Sequence, residues 1–250
     1  MGEKLSFLSL VLIITCLAAC STNKTQDPVI SPESLTPTTI NSPASGNTIV
    51  EYGKPELITD NTGPLRVHIA FPVAGDATDE AMAEWARVMY QTARDEMTDL
   101  RRSDPDAEGE VIIQFDSYFV DDRYAGIIED GMFMSSHMAH PASIVRTFNI
   151  DTKSKTMLAN TDILDYSQLE RILAVMRDRI IKGHPDAADH LGETDKNWLE
   201  HLAIGHDGII VVLERGAFLP SYLGAVKVTL PYDKLGPAFL PGTPAPKPPI

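Results

Sequence analysis

The chain has 250 residues, with 35 Asp and Glu against 21 Lys and Arg and a formal charge of −14 at neutral pH. That excess excludes nucleic acid, which asks for a basic face, speaks against electrostatic binding to anionic lipid, and favours a cationic partner. The only cysteines are Cys16 and Cys20, so no disulfide framework or Cys-based metal site is available and packing must hold the fold.

The apolar run Leu5–Ala19 opens the chain and ends in Leu17-Ala18-Ala19-Cys20. A transmembrane helix needs about 20 apolar residues, which the run does not reach. A secretory h-region followed by small residues has this length, although Glu3 offsets Lys4 and leaves only the amino terminus as net positive charge. The four residues resemble the lipobox of bacterial lipoproteins. That implies a signal peptide over residues 1–19, lipidation of Cys20, and attachment to a membrane by acyl groups, facing the periplasm. Ser21 takes the place of the Asp that retains lipoproteins in an inner membrane, so the outer membrane is favoured where the cell has one. Cys16 leaves with the signal. Residues 20–50 are rich in Ser, Thr, Asn and Pro and form a tether with an r.m.s. reach of about 30 Å.

Leu65–Phe71 alternates apolar and polar residues, the pattern of a half-buried strand. Asp76–Arg102 is the first helix. Thr78 or Asp76 caps it, and Met82, Trp85, Met89, Ala93, Met97 and Leu100 form one stripe. Val111–Val120 and Tyr124–Met134 make a β-hairpin around Asp121-Asp122-Arg123, and Ser143–Ile150 is a further strand ending in the polar turn Asp151–Lys155. The second helix runs from Ser167 to Lys182, with Leu169, Ile172, Leu173, Met176 and Ile180 inward and Gly183 as its stop. Strands at Gly208–Glu214 and Ala225–Leu230 follow. The expected fold is a single α+β domain over residues 51–236, with a mainly antiparallel sheet and two principal helices. A Pro-rich tail follows over residues 237–250.

Several short segments fall in a recognisable order: Met138-Ala139-His140-Pro141, Phe148-Asn149-Ile150-Asp151, Thr161-Asp162-Ile163-Leu164, Pro220 to Gly224, and Pro231-Tyr232. Together they resemble the extracytoplasmic domain shared by RsiV-type anti-sigma factors and the N-terminal part of PdaC-type peptidoglycan deacetylases. His137-Met138 stands where that pattern has paired glycines. The resemblance implies an envelope-facing domain that binds something, with lysozyme-like proteins the sharpest candidate. RsiV-type proteins add a transmembrane helix and a cytoplasmic segment, and PdaC-type proteins a separate catalytic domain. Neither addition has a counterpart in this sequence.

His137 and His140 form the one histidine pair with metal-like spacing, but a zinc site needs a third ligand that no second pair supplies. Three readings remain for the segment: a metal, a structural His140 that hydrogen-bonds to hold its loop, and contact with a ligand. Asp121, Asp122, Glu129 and Asp130 lack the pattern of a calcium loop and are expected in turns or on a solvated hairpin edge. Neither an activated nucleophile nor a phosphate-cradling loop is present. Trp198 belongs either to the core or to a binding surface. The connection Arg215–Leu223 is apolar, and Phe218, Leu219, Tyr222 and Leu223 either fold back or present an exposed patch.

The sequence therefore predicts a cell-envelope lipoprotein without cofactor or metal and with no catalytic residue identified. Its expected partner is a cationic protein such as lysozyme or a peptidoglycan fragment. His137, His140, Phe218 and Tyr222 are the candidate contacts. The competing readings are an enzyme or accessory acting on peptidoglycan and a structural lipoprotein.

Overall fold

The computed structural model describes residues 51–191 and 196–240. The signal, Cys20, the tether and residues 241–250 lie outside the described residues. Among the described residues, nine strands form two sheets. The first joins β1 (Lys54–Asp60), β2 (Leu65–Val73), β3 (Gly109–Val120), β4 (Tyr124–Ser135), β5 (Ala142–Asp151) and β6 (Thr156–Met157) in that spatial order. The second joins β7 (Leu202–Ile204), β8 (Gly208–Leu213) and β9 (Val226–Pro231). Every pairing is antiparallel except β2 with β3, which the long helix α1 (Asp79–Ser103) connects as a crossover. Short α2 (Asn160–Ile163), the second principal helix α3 (Leu169–Gly183) and short α4 (Tyr232–Leu235) complete the set. The expected α+β class holds.

Strand parity builds four layers. Val111 and Ile113 of β3, Ala125 and Ile127 of β4, and Phe148 and Ile150 of β5 face α1, where Met82, Ala86, Ala93 and Met97 are buried. Trp85, Met89 and Leu100 lie at the margin of that stripe, partly buried. On the opposite face, Ile128 and Val145 pack against Ala203, Ile210 and Val212 of the second sheet. Alternate residues of that sheet, Ile209, Val211, Val226 and Val228, point outward and are covered by Ile172, Met176 and Ile180 of α3. The layers run α1, first sheet, second sheet, α3. Both sheets thus keep the period-two alternation, with two apolar faces instead of one polar and one apolar.

The two sheets meet at a backbone-close junction. Asn149 is 3% exposed, and its amide nitrogen donates to the Leu202 carbonyl at 2.8 Å while its amide oxygen accepts from the Ile204 N–H at 2.7 Å. Beside it, a Cβ at Gly126 would fall 2.0 Å from the Ile204 carbonyl oxygen. Only glycine lets β7 approach β4 this closely. Asp151, two residues on, accepts from the Lys153 and Ser154 N–H groups and pairs with Arg123 at 2.6 Å. The Asn-x-Asp segment is structural in both halves.

Several local expectations change. Thr78 occupies the N-cap of α1 without a side-chain cap bond. Asp76 instead accepts from the Thr78 N–H and hydroxyl, and Asp79 ties down the N–H groups of Ala74, Gly75 and Asp76. Gly183 does not stop the second helix; it is helical, and the cap is His184 at φ −137°. Pro185 follows His184 and pushes it out of the helical region. Packing also continues past residue 236: Ala238 is buried, and Phe239 bridges Leu164 and stacks edge-on against Tyr232.

Asn149→Ala leaves a buried carbonyl and a buried N–H unpaired and is expected to cost about 2–4 kcal/mol of stability. Gly126→Ala forces β7 off β4 and is expected to cost at least about 3 kcal/mol. Urea denaturation of the two variants beside the parent checks both.

Candidate functional site

The four candidate contact residues lie on two different connections. His137 and His140 are exposed between β4 and β5. The His137 Nε2 lies 2.8 Å from Asp104 Oδ2 at the end of α1, and this contact holds the Asp104 carboxyl below its ordinary value. No hydrogen bond to His140 is found among the described residues, so the reading of it as the residue that holds its loop has no bond behind it. That work falls to Ser135 and Ser136: the Met138 N–H donates to the Ser135 carbonyl, and the Ser136 N–H donates to the Glu108 carbonyl. Among the described residues, no group of three His, Cys, Asp or Glu is placed to hold a metal ion.

Phe218 and Tyr222 sit between β8 and β9, and they part company. Phe218 lies against the buried Trp198 at 4.9 Å between ring centroids, and Leu219 is buried. Tyr222 points out, 67% exposed. The apolar connection is therefore mostly folded back, with a single ring offered to solvent. Trp198 belongs to the core.

The carboxylates separate by strand parity. Asp121 and Asp122 occupy the tight hairpin turn at φ 52° and 51°, a left-handed pair that Asp tolerates better than most residues. Asp130 faces the second sheet, where with Asp116 it grips Lys227 at 2.6 and 2.7 Å. Burial alone would lower the Lys227 ammonium, but the bonds to Asp116 and Asp130 outweigh it and raise the group above its ordinary value. Glu129 faces the other way, toward α1, and is fully buried rather than on a solvated edge. Neither of its oxygens has a hydrogen-bond partner among the described residues. Burial pushes its pKa up to about 8, and Arg146, its neighbour across β5, only partly opposes this. A carboxyl in that setting is a neutral acid near neutral pH.

Two tyrosines anchor the ends of the fold. Tyr52 donates its hydroxyl to Asp76 at 2.9 Å, and burial pushes its pKa up to about 12. Tyr232, in the Pro-Tyr segment, donates to the Gly205 carbonyl at 2.8 Å, and burial with Asp121 and Asp207 nearby raises it strongly. Both are held as neutral donors.

One concavity escaped the sequence reading. A groove of about 390 Å³ runs between α3 and α4, edged by Arg171, Arg179, Lys182 and Lys234, with Asp178 the one acid. The spacing of Arg171, Arg179 and Lys182 was legible as one helix face. Lys234 is remote in sequence and was not.

No protein-family model matches the chain, and no curated protein matches it. Solved structures share its fold. A DUF3298 family protein from Pseudomonas aeruginosa PAO1 aligns with a TM-score of 0.56 at 12% identity, over 78% of this chain and 96% of its own. A DUF3298 family member from Bacteroides fragilis NCTC 9343 gives 0.50 at 14% identity, over 77% and 93%. At such identities the likeness is one of fold.

Glu129 makes stability depend on pH. Its folded-state pKa is raised above the ordinary 4.5, so the folded chain keeps a proton that the unfolded chain loses between about 4.5 and about 8. Stability is expected to fall as pH rises through that window, by no more than about 5 kcal/mol. Glu129→Gln should flatten this slope, which urea denaturation at about pH 5 and about pH 8 measures.

Proposed function

We propose that the chain is a lipid-anchored, non-catalytic binding domain of the bacterial envelope, facing the periplasm, with a cationic protein of the lysozyme type as ligand. The observation that carries this reading is the placement of charge. Residues 51–135, which include β1 to β4 and α1, hold 19 Asp and Glu against 7 Lys and Arg; residues 136–240 hold 13 against 11. The acidic excess therefore belongs to one half of the domain. Glu80, Glu84, Asp95 and Asp99 on α1 are exposed, as are Asp106 and Glu108 beyond its end; Glu80 and Glu84 share Arg87 and Asp99 pairs with Arg102, on exposed side chains where such pairs are weak. An acidic face of this kind steers a basic protein and loses its pull as salt rises.

The resemblance of the segments from Met138 to Tyr232 to RsiV- and PdaC-type domains supports an envelope role. His137, His140 and Tyr222 remain candidate contacts, exposed on two connections, with Phe218 partly buried beside Tyr222. The anchor reading rests on Leu17-Ala18-Ala19-Cys20.

Purified domain is expected to retain lysozyme at low salt and release it as salt rises; no retention at low salt removes the ligand. Isolated cell wall incubated with the protein is expected to release neither acetate nor muropeptides, and release of either favours the enzyme reading. Parent protein is expected to carry the mass of acyl groups at Cys20, and Cys20→Ala to lack it. Parent protein unmodified in mass removes the anchor.

A further inference from the structure

The α3–α4 groove stands against the charge of the chain that carries it. Arg171 is fixed there: its Nε donates to the Leu235 carbonyl at 2.9 Å and its Nη2 to the Lys234 carbonyl at 3.0 Å. These carbonyls position the guanidinium without neutralising it. Arg179 has no ion-pair partner among the described residues. Lys182 pairs with Asp178 and Lys234 with Asp233, all on exposed side chains where such pairs are weak. Ala174 and Val175 line the groove, and Ile181, 37% exposed, flanks it on the same helix. Cations around aliphatic side chains on one helix face match the phosphates and upper methylenes of a lipid interface.

The acidic half does not cancel this patch. α1 and α3 are the two outer layers, with both sheets between them. Sheets stack about 10 Å apart, so the helices are on the order of 20 Å or more from each other, beyond the screening length of about 8 Å at physiological salt. The net charge of −14 thus describes the chain but not this face.

We propose that the groove docks on anionic phospholipid headgroups and turns the acidic α1 face away from the membrane. The choice of a lipid occupant rests on the acyl-anchor reading, which places the domain within tether reach of a bilayer. Docking itself needs no acyl chain, so the two can be tested apart.

The test uses the mature chain carrying Cys20→Ala in flotation with phosphatidylglycerol-containing vesicles and with vesicles of phosphatidylcholine alone. Binding is expected only to the former. Arg179→Glu with Lys182→Glu, both exposed and outside the core, should lower it by at least about tenfold. Arg102→Glu on α1 should leave it unchanged. Equal binding to both vesicles, no flotation, indifference to the double reversal, or capture by soluble polyphosphate with none by vesicles each overturns the proposal. The anchor reading is judged separately, from the mass of the parent chain.

Discussion

The amide of Asn149 is the interaction on which the four-layer arrangement depends. A three-residue strand such as β7 has too little apolar surface to fix its own position. Its Leu202 carbonyl and Ile204 N–H are in a buried junction and need partners there. A side-chain amide is the one side-chain group with a donor and an acceptor spaced like a peptide. Asn149 therefore acts as a piece of β-strand projecting from the face of the first sheet. Gly126 supplies the clearance. With that contact made, β8 and β9 follow in register, and α3 has a surface to cover.

Covering the first sheet on both faces has a cost at β4. Residues Tyr124 to Glu129 are buried without interruption. A charged residue in the middle of such a strand has no polar face to point to, and Glu129 sits opposite Phe115 and Arg146 on the α1 side. Its neighbour Asp130 has the opposite parity and finds Lys227. Two adjacent carboxyls therefore reach opposite states: one neutral and unpartnered, the other held by an ion pair. A one-residue step along a strand decides between them.

This is also where sequence reading succeeds and stops. The β3–β4 hairpin, β2, β5 and both long helices announce themselves by periodicity, because each has one strongly apolar face. β1 is an edge strand with mostly exposed residues, Leu57 among them, and carries no alternation to detect. β7 is too short for a pattern. Parallel pairing of β2 with β3 follows from the crossover through α1 and is invisible locally. Parity puts Glu129 with Ala125 and Ile127 on the inward face, where the cover of α1 outweighs the expectation that a charged residue stays in water. His184 before Pro185 carries the helix-end signal, whereas Gly183 is helical. The histidine segment gave chemistry-bearing residue types and no convergence, while the groove gave convergence from residues that look like an ordinary solvated helix face.

Net charge is a poor guide to a domain built in layers. A sum over the chain treats all charges as one point, whereas each face acts only within a screening length. Here the two outer layers are helices with different company. α1 continues into the acidic run Asp104, Asp106 and Glu108, while α3 meets Lys234 across a groove. The two sheets hold these faces apart more firmly than any loop could, because each is locked to the other through Asn149. An acidic surface and a cationic one can then coexist on a small domain without neutralising each other.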